Sequence, residues 1–420
     1  MTNPLIAEDI QSLFAAAGAQ GDFIQARKLE DTIGLCLSGG GYRAMIYHVG
    51  AIIRLNELGF LQRISEIASV SGGSITAGLL ALRWQSLRFD ERGRANNLDE
   101  VFVAPLLRLA GKGIDIRAIL YGLIPGCSAA DSLVRAYDRH LFAGACLQDI
   151  TDFPRFTFMS TNLQTGSGWR FAKGYAADYR VGLIDRPVIP LARVVAASSA
   201  FPPFLSPVRI DLSREAVQAT AGADLHREPF ISTAVLSDGG VYDNLGLERI
   251  WKRCRTILVS NAGRTIPEVG HPTGRWVGQM FRTLSLIQQQ AEHSRRRLLF
   301  GMANQGQRQV AYWSIDTALS QYGLLDALPL SSSDVEAVAR LRTRLNHFSV
   351  AERQLLLRAG YAGADASLRA RGLASNTPAA SFDFMSSIAV QNFAEPNGNG
   401  QLGSSMLFRS PLSAPGRSLT

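Results

Sequence analysis

Cysteine is scarce in this 420-residue chain, and the placement of the four present excludes whole classes of site. Cys36, Cys127, Cys146 and Cys254 form no CxxC pair, so neither a structural zinc site nor a redox dithiol is expected, and they read as reduced, mostly buried thiols. A basic stretch followed by an apolar run is missing at the N-terminus, because Glu8 and Asp9 interrupt Leu5 to Ala17. No signal peptide is therefore read, and a cytoplasmic location is the expectation. Apolar runs of bilayer length are missing too. The best candidate, Ala118 to Ala130, has 13 residues and is broken by Gly122, Pro125 and Gly126. Histidine is sparse, and none of His48, His140, His226, His271, His293 and His347 lies in a turn at a strand end. No internal repeat of fixed period occurs.

What is there is enough for one large core. Apolar residues make up 46% and charged residues 19%, which suits a single α/β catalytic domain with appendages. A net charge of +8 favours anionic surfaces, but the arginines are scattered, so membrane phospholipid fits as well as nucleic acid. The one tight basic cluster, Arg295-Arg296-Arg297, reads as a solvated helix face.

Along the chain, residues 1–30 read as a short helix and linker, and the core begins at Thr32. Thr32 to Leu37 is a buried strand that runs into the loop Ser38-Gly39-Gly40-Gly41-Tyr42-Arg43, after which Met45, Val49, Ile52 and Ile53 recur at helical spacing as far as Gly59. The plan repeats with a strand over Ile64 to Val70, a turn at Ser71-Gly72-Gly73 and a helix over Ile75 to Trp84. Two such units imply a right-handed crossover and a parallel sheet, with both glycine turns on the same edge. Val101 to Gly126 is amphipathic, open to packing on the sheet, to capping the site or to facing lipid. Further strands are expected at Phe156 to Asn162, Trp169 to Phe171, Val235 to Ser237, Thr256 to Ser260 and Val310 to Ile315, with a helix at Val194 to Ser199. Residues 31–320 thus form the catalytic domain and 321–373 a helical extension. There, Ser333 with Glu336 and Ser349 with Glu352 read as capping boxes, and Gly360 follows the second. Residues 374–420, rich in Ser, Gly, Asn and Pro, read as a loosely structured tail.

The turns carry acyl-transfer chemistry. Ser71 ends a strand between the small residues Ser69 and Gly73, as a nucleophile on a tight strand-to-helix turn must, although Ser69 stands where a GxSxG turn has its first glycine. Gly39, Gly40 and Gly41, with Gly72, supply backbone N–H donors for a developing oxyanion. The base is read as Asp238, which follows an apolar run and precedes Gly239-Gly240. Asp243 is the fallback carboxylate, a triad through His271 or His293 is the rival mechanism, and His48 reads as a packed helix-face residue. A nucleotide phosphate on the glycine loop is disfavoured, since neither GxGxxG nor GxxxxGK(S/T) fits Ser38 to Arg43.

Together with Ser69-Val70-Ser71-Gly72-Gly73, the glycine loop and Asp238-Gly239-Gly240-Val241-Tyr242-Asp243-Asn244-Leu245-Gly246 resemble the three signature blocks of the patatin-like phospholipases. Thr161-Asn162-Leu163-Gln164-Thr165-Gly166 and Ala197-Ser198-Ser199-Ala200-Phe201-Pro202-Pro203-Phe204 are similar to further stretches of that family. The resemblance covers about residues 32–260 and implies a three-layer α/β/α sandwich with a mainly parallel central sheet. It also implies a Ser71-Asp238 dyad, an oxyanion loop at Gly39 to Gly41, and Arg43 in the loop's basic position, where it steadies the loop or meets a phosphate. The activity implied is hydrolysis of glycerolipid carboxylic esters through an acyl-enzyme, with no metal or organic cofactor. The partner implied is membrane phospholipid met at a peripheral surface, with no nucleic acid. Two alternatives stay open: an effector of the same chemistry switched on by a ligand or partner, and an inactive lipid-binding module.

Overall fold

A computed structural model describes residues 29–374 other than 123 and 125–127. The N-terminal helix and linker, Cys127 and the tail expected from the sequence lie outside the described residues, save for their innermost positions. Strand β1 (Glu30–Leu37) runs into helix α1 (Gly41–Glu57), and β2 (Ile64–Val70) into α2 (Gly72–Arg83). Both units stand where their glycines put them, and α1 stops at Leu58 before Gly59 in the left-handed region. The amphipathic stretch resolves into α3 (Ala104–Ala110) and α4 (Asp115–Gly122), followed by α5 (Ala129–Tyr137). Leu106, Leu107 and Leu109 of α3 pack into the core.

Next come β3 (Arg155–Asn162), β4 (Gly168–Ala172), β5 (Tyr175–Asp178), β6 (Gly182–Asp185), α6 (Leu191–Ser199), β7 (Val208–Asp211) and β8 (Val217–Gln218). The chain then forms β9 (Thr233–Asp238), the short helices α7 (Gly240–Asp243) and α8 (Leu247–Ile250), β10 (Cys254–Asn261), α9 (Trp276–Asn304) and β11 (Gln309–Ser314). Helices α10 (Ser332–Arg340) and α11 (Val350–Ala370) follow.

The sheet has eleven strands in the order β11-β10-β1-β2-β3-β4-β5-β6-β8, with β9 joining β3 to β7. From β11 to β3 every pairing is parallel; beyond β3 every pairing is antiparallel. Strand alternation divides the interior into two layers. Leu35, Leu37, Ile67 and Leu258 face the core shared with α1 and α2, while Cys36, Ala68, Ile257 and Val259 face the core shared with α8 and α9. The result is the α/β/α sandwich that the signature blocks imply.

The C-terminal helices correct two expectations. The capping box of α10 is Ser331 with Asp334, not Ser333 with Glu336, because the helix begins two residues earlier in the serine run. Ser349 and Glu352 do cap α11, but that helix continues past Gly360 to Ala370. Gly360 serves packing rather than termination: a Cβ there would stand 1.8 Å from the Tyr47 carbonyl of α1. The same seam holds a buried ion pair, Arg54 to Asp365 at 2.7 Å. Among the described residues, no helix is long and apolar enough to cross a membrane.

Candidate active site

Strand β3 brings two distant turns to one point. Along one edge it pairs with β2 as far as Val70, opposite Met159. From the other direction β9 pairs with that same edge and sets Asp238 opposite Ser160. Adjacent positions of β3 therefore face the last residues of β2 and β9, and the chain leaves both strands at the same spot. Ser71 and Asp238 meet there.

Ser71 sits at φ 51° and ψ −118°, a backbone region that a residue with a side chain adopts only when its surroundings hold it. Those surroundings are a knot of buried hydroxyls. The Ser71 amide donates to Ser198 Oγ at 3.1 Å, and Ser198 Oγ donates to the Met159 carbonyl at 2.6 Å. Ser74 Oγ lies 2.8 Å from Ser198 Oγ and donates to Ser69 Oγ at 3.0 Å. Ser69, which departs from the glycine of a standard elbow, is thus a member of the clamp. Ser198 comes from α6, and its place in a quoted signature block was the only signal of its role in the sequence.

Asp238 is 5% exposed, and no ion pair reaches it among the described residues. Its Oδ1 accepts the Gly240 amide at 2.7 Å, and its backbone carbonyl accepts Thr161 Oγ1 at 2.8 Å. Burial pushes its carboxyl up to about 6, against the opposing pull of the Gly240 amide and a hydrogen bond from the Ser71 side chain. A carboxylate poised there can accept a proton near neutral pH.

The other candidates for a base are engaged elsewhere. Asp243 accepts the Leu245 amide at 3.1 Å and the Glu248 amide at 3.0 Å, so it braces the entry to α8. His48 bridges Ser260 Oγ at 2.8 Å and the Ser38 carbonyl at 2.9 Å, and burial lowers it to about 4. It is a neutral strut beneath the glycine loop, in keeping with a packed helix-face histidine. His293 lines the cavity in front of the serine, and His271 is exposed in the loop before α9; neither has a hydrogen bond to Ser71 among the described residues.

The glycine loop behaves unevenly. The Gly39 amide donates to the Asn244 carbonyl at 3.0 Å and so is not free to meet an oxyanion, which corrects its expected role. Gly39 instead permits close approach, since a Cβ there would stand 3.2 Å from that of Ser71 and 2.4 Å from Asn244 Oδ1. Among the described residues, no backbone acceptor ties up the amides of Gly40, Gly41 or Gly72. Gly40 sits at φ 136°, and a Cβ on Gly72 would meet the Gly41 carbonyl at 2.0 Å, so the two turns touch backbone to backbone. These N–H groups lie at two helix starts, where the positive end of each helix favours an anion.

Arg43 takes the first of its two expected roles. Its guanidinium donates to the carbonyls of Ala339 at 3.2 Å, Leu341 at 2.8 Å and Ala262 at 2.7 Å, which ties the glycine loop to the segments after β10 and α10. Asn244 was not singled out in the sequence, yet it joins the two halves of the site. Besides accepting from Gly39, it donates through Nδ2 to Glu292 Oε2 of α9 at 3.2 Å.

In front of Ser71 lies a cavity of about 750 Å³. Ile119, Phe201, Phe204 and Leu205 make one side apolar, and Arg264, Arg296 and Glu292 make another polar. Such a lining suits a substrate with a hydrocarbon part and a polar part.

Residues 35–251, just over half of the chain, match the family model described as patatin-like phospholipase. The chain belongs to the patatin-like phospholipase family. All of the geometry above except that of α9 and the C-terminal helices falls within or beside the matched region. Among solved structures, the chain is similar to VipD from Legionella pneumophila, at 15% identity and a TM-score of 0.36, over 84% of this chain and 72% of that one. It is also similar to human GIVD cytosolic phospholipase A2, at 13% identity and a TM-score of 0.45, over 87% of this chain and 62% of that one. It therefore spans less than two thirds of the human enzyme. No curated protein matches the chain.

Proposed function

We propose that this patatin-like phospholipase is an acyl hydrolase of the phospholipase A type, acting at a membrane surface through Ser71 and Asp238. The observation that carries the reading is the serine on its strained turn, hydrogen-bonded to a buried carboxyl that pairs with no cation among the described residues. Asp238 takes the Ser71 proton as Oγ attacks the ester carbonyl. The amides of Gly40, Gly41 and Gly72 receive the oxyanion, each worth roughly 3 kcal/mol in the transition state. Collapse breaks the ester bond, and the leaving lysolipid alkoxide takes the proton from Asp238. Water then attacks the acyl-Ser71 ester with Asp238 again as base, releasing a fatty acid and restoring the serine. The amphipathic cavity supports a substrate with an acyl chain and a charged headgroup.

The test is fatty-acid release from mixed phospholipid vesicles by the wild type, Ser71→Ala and Asp238→Ala, read by mass spectrometry. Release by the wild type that both substitutions abolish is expected. Full activity in Asp238→Ala, with loss in His293→Ala, would replace the dyad by a histidine mechanism. A folded wild type that binds lipid but releases nothing from any ester would leave a lipid-binding module.

A further inference from the structure

Three elements that border the Ser71 cavity carry apolar side chains that face solvent. On α4, Ile116 and Leu120 stand one turn apart, 54% and 60% exposed. In the loop after α6, Phe201 and Phe204 are 45% and 53% exposed, and on the first turns of α9, Trp276 and Met280 are 75% and 50% exposed. These elements are neighbours. Phe204 shares a second hollow with Ile119 of α4, and its ring stacks on Phe281 of α9 with centroids 6.3 Å apart and planes 12° apart. Phe201, Phe204 and Ile119 also line the cavity itself, so the exposed ring and the site are continuous. Large apolar residues clustered on three elements around one opening are not the scattered exposure expected of a plain globular surface.

The surrounding charge narrows the occupant. Arg275 caps α9 immediately before Trp276, Arg282 stands within two turns of it, and Arg264 lies at the cavity. A second copy docked face to face would bring these arginines against their own kind, whereas anionic headgroups would neutralise them. A tryptophan at the junction of an apolar patch and a basic border is also suited to a bilayer interface.

We propose that this rim is the membrane-docking surface of the protein. Ile116, Leu120, Phe201, Phe204, Trp276 and Met280 enter the acyl layer of a phospholipid bilayer while the arginines meet its phosphates, so that the cavity opens directly onto lipid. The inference rests on reading the cavity as a lipid-hydrolase site and adds where that site meets its substrate.

Binding and hydrolysis are separated by using the full chain with Ser71→Ala for binding. Its co-sedimentation with vesicles of phosphatidylcholine and phosphatidylglycerol is compared with that of the same protein carrying Leu120→Glu, Trp276→Glu and Met280→Glu. None of these three residues lines the cavity. Their charges are expected to lower vesicle partition by about tenfold or more. With Ser71 intact, the triple variant should hydrolyse a monomeric short-chain ester at the wild-type rate while losing vesicle hydrolysis to a similar extent. Vesicle binding that the charges abolish supports the rim even if no ester is hydrolysed, an outcome that removes only the catalytic reading. Unchanged vesicle partition in the triple variant overturns the proposal. So does a wild-type dimer that ignores vesicles and that the same substitutions dissociate.

Discussion

Two carboxylates are buried at opposite ends of the parallel strands, and their neighbours assign them opposite work. Glu66, near the start of β2, is 2% exposed and meets Arg155 at 2.7 Å, Arg253 at 2.8 Å and Arg249 at 3.3 Å. Asp238, at the end of β9, is 5% exposed and meets an amide and a hydroxyl. With three cations around it, Glu66 ties β2 to β3, to α8 and to the turn before β10, and it is not part of the Ser71 cavity's lining. Among the described residues, no cation holds the charge of Asp238, which faces a hydroxyl beside an open cavity. Equal burial thus yields a clamp where cations are supplied and a proton acceptor where they are withheld.

The sharpest way to probe this contrast is Asp238→Asn. As the proposed base, its loss should lower kcat by about a thousandfold to ten-thousandfold. The same substitution should stabilise the fold at high pH. The carboxyl moves from 3.8 to about 6 on folding, so the stability it lends is full at low pH and is lost as pH rises through about 6. At pH about 8 the buried charge costs roughly 2 to 3 kcal/mol, which the neutral amide avoids. Thermal denaturation should therefore show Asp238→Asn melting above the wild type at that pH and with it at pH about 4. In the active enzyme, kcat/KM should climb with pH and level off above about 6. A rate profile flat across that range would sink Asp238 as the base.

Glu66→Gln should do the reverse. Removing the buried charge shared by Arg155, Arg249 and Arg253 breaks three ion pairs and leaves the partly exposed Glu30 facing Arg155 and Arg253, with an expected loss of about 3 kcal/mol in denaturant unfolding. At a temperature where the variant remains folded, the rise in rate should still fall near pH 6, because Glu66 lies at the far end of the sheet. A displaced pH profile would mean that the two ends are electrostatically coupled and the contrast is false.

Much of this was legible in the sequence because the strands that carry the site, β1, β2 and β9, are short, apolar and ended by glycine turns. Ser71, Asp238 and the touching glycines follow from such turns. Their union does not, since it depends on the register of β3 against both β2 and β9, which no local motif encodes. The fates of Gly39 and Arg43 were hidden for a similar reason: their partners, Asn244 and the carbonyls near Leu341, arrive from far along the chain. The antiparallel strands β5, β6 and β8 are short, two to four residues, and carry too little periodicity to read. Helix α9, 29 residues long, is signalled in the sequence by the helix face at Arg295-Arg296-Arg297 alone, because it is polar along much of its length and buries only Leu299. The block Thr161 to Gly166 gains its sense from Asp178, whose buried carboxylate accepts from Asn162, Thr165 and Ser167 and so locks the turn from β3 to β4.

Ser198 offers the smallest effect and the finest test, because it touches the nucleophile only through the backbone. Its hydroxyl receives the Ser71 amide and donates to the carbonyl of Met159, the residue opposite Val70 where β2 ends. Ser198→Ala leaves both backbone groups short of a partner in a buried setting, which predicts a stability loss of about 1 to 2 kcal/mol. The unusual backbone of Ser71 then has one restraint fewer, so its Oγ should wander from the line of attack and kcat should fall by about tenfold. KM should hold, since no part of Ser198 lines the cavity, and the rise in rate near pH 6 should hold as well, since Asp238 keeps its surroundings. A stability loss of that size with unchanged kcat would make the hydroxyl knot mere packing. A fall in kcat with the pH profile intact would show that the turn is held in its strained form for the sake of the serine, independently of what tunes the carboxylate.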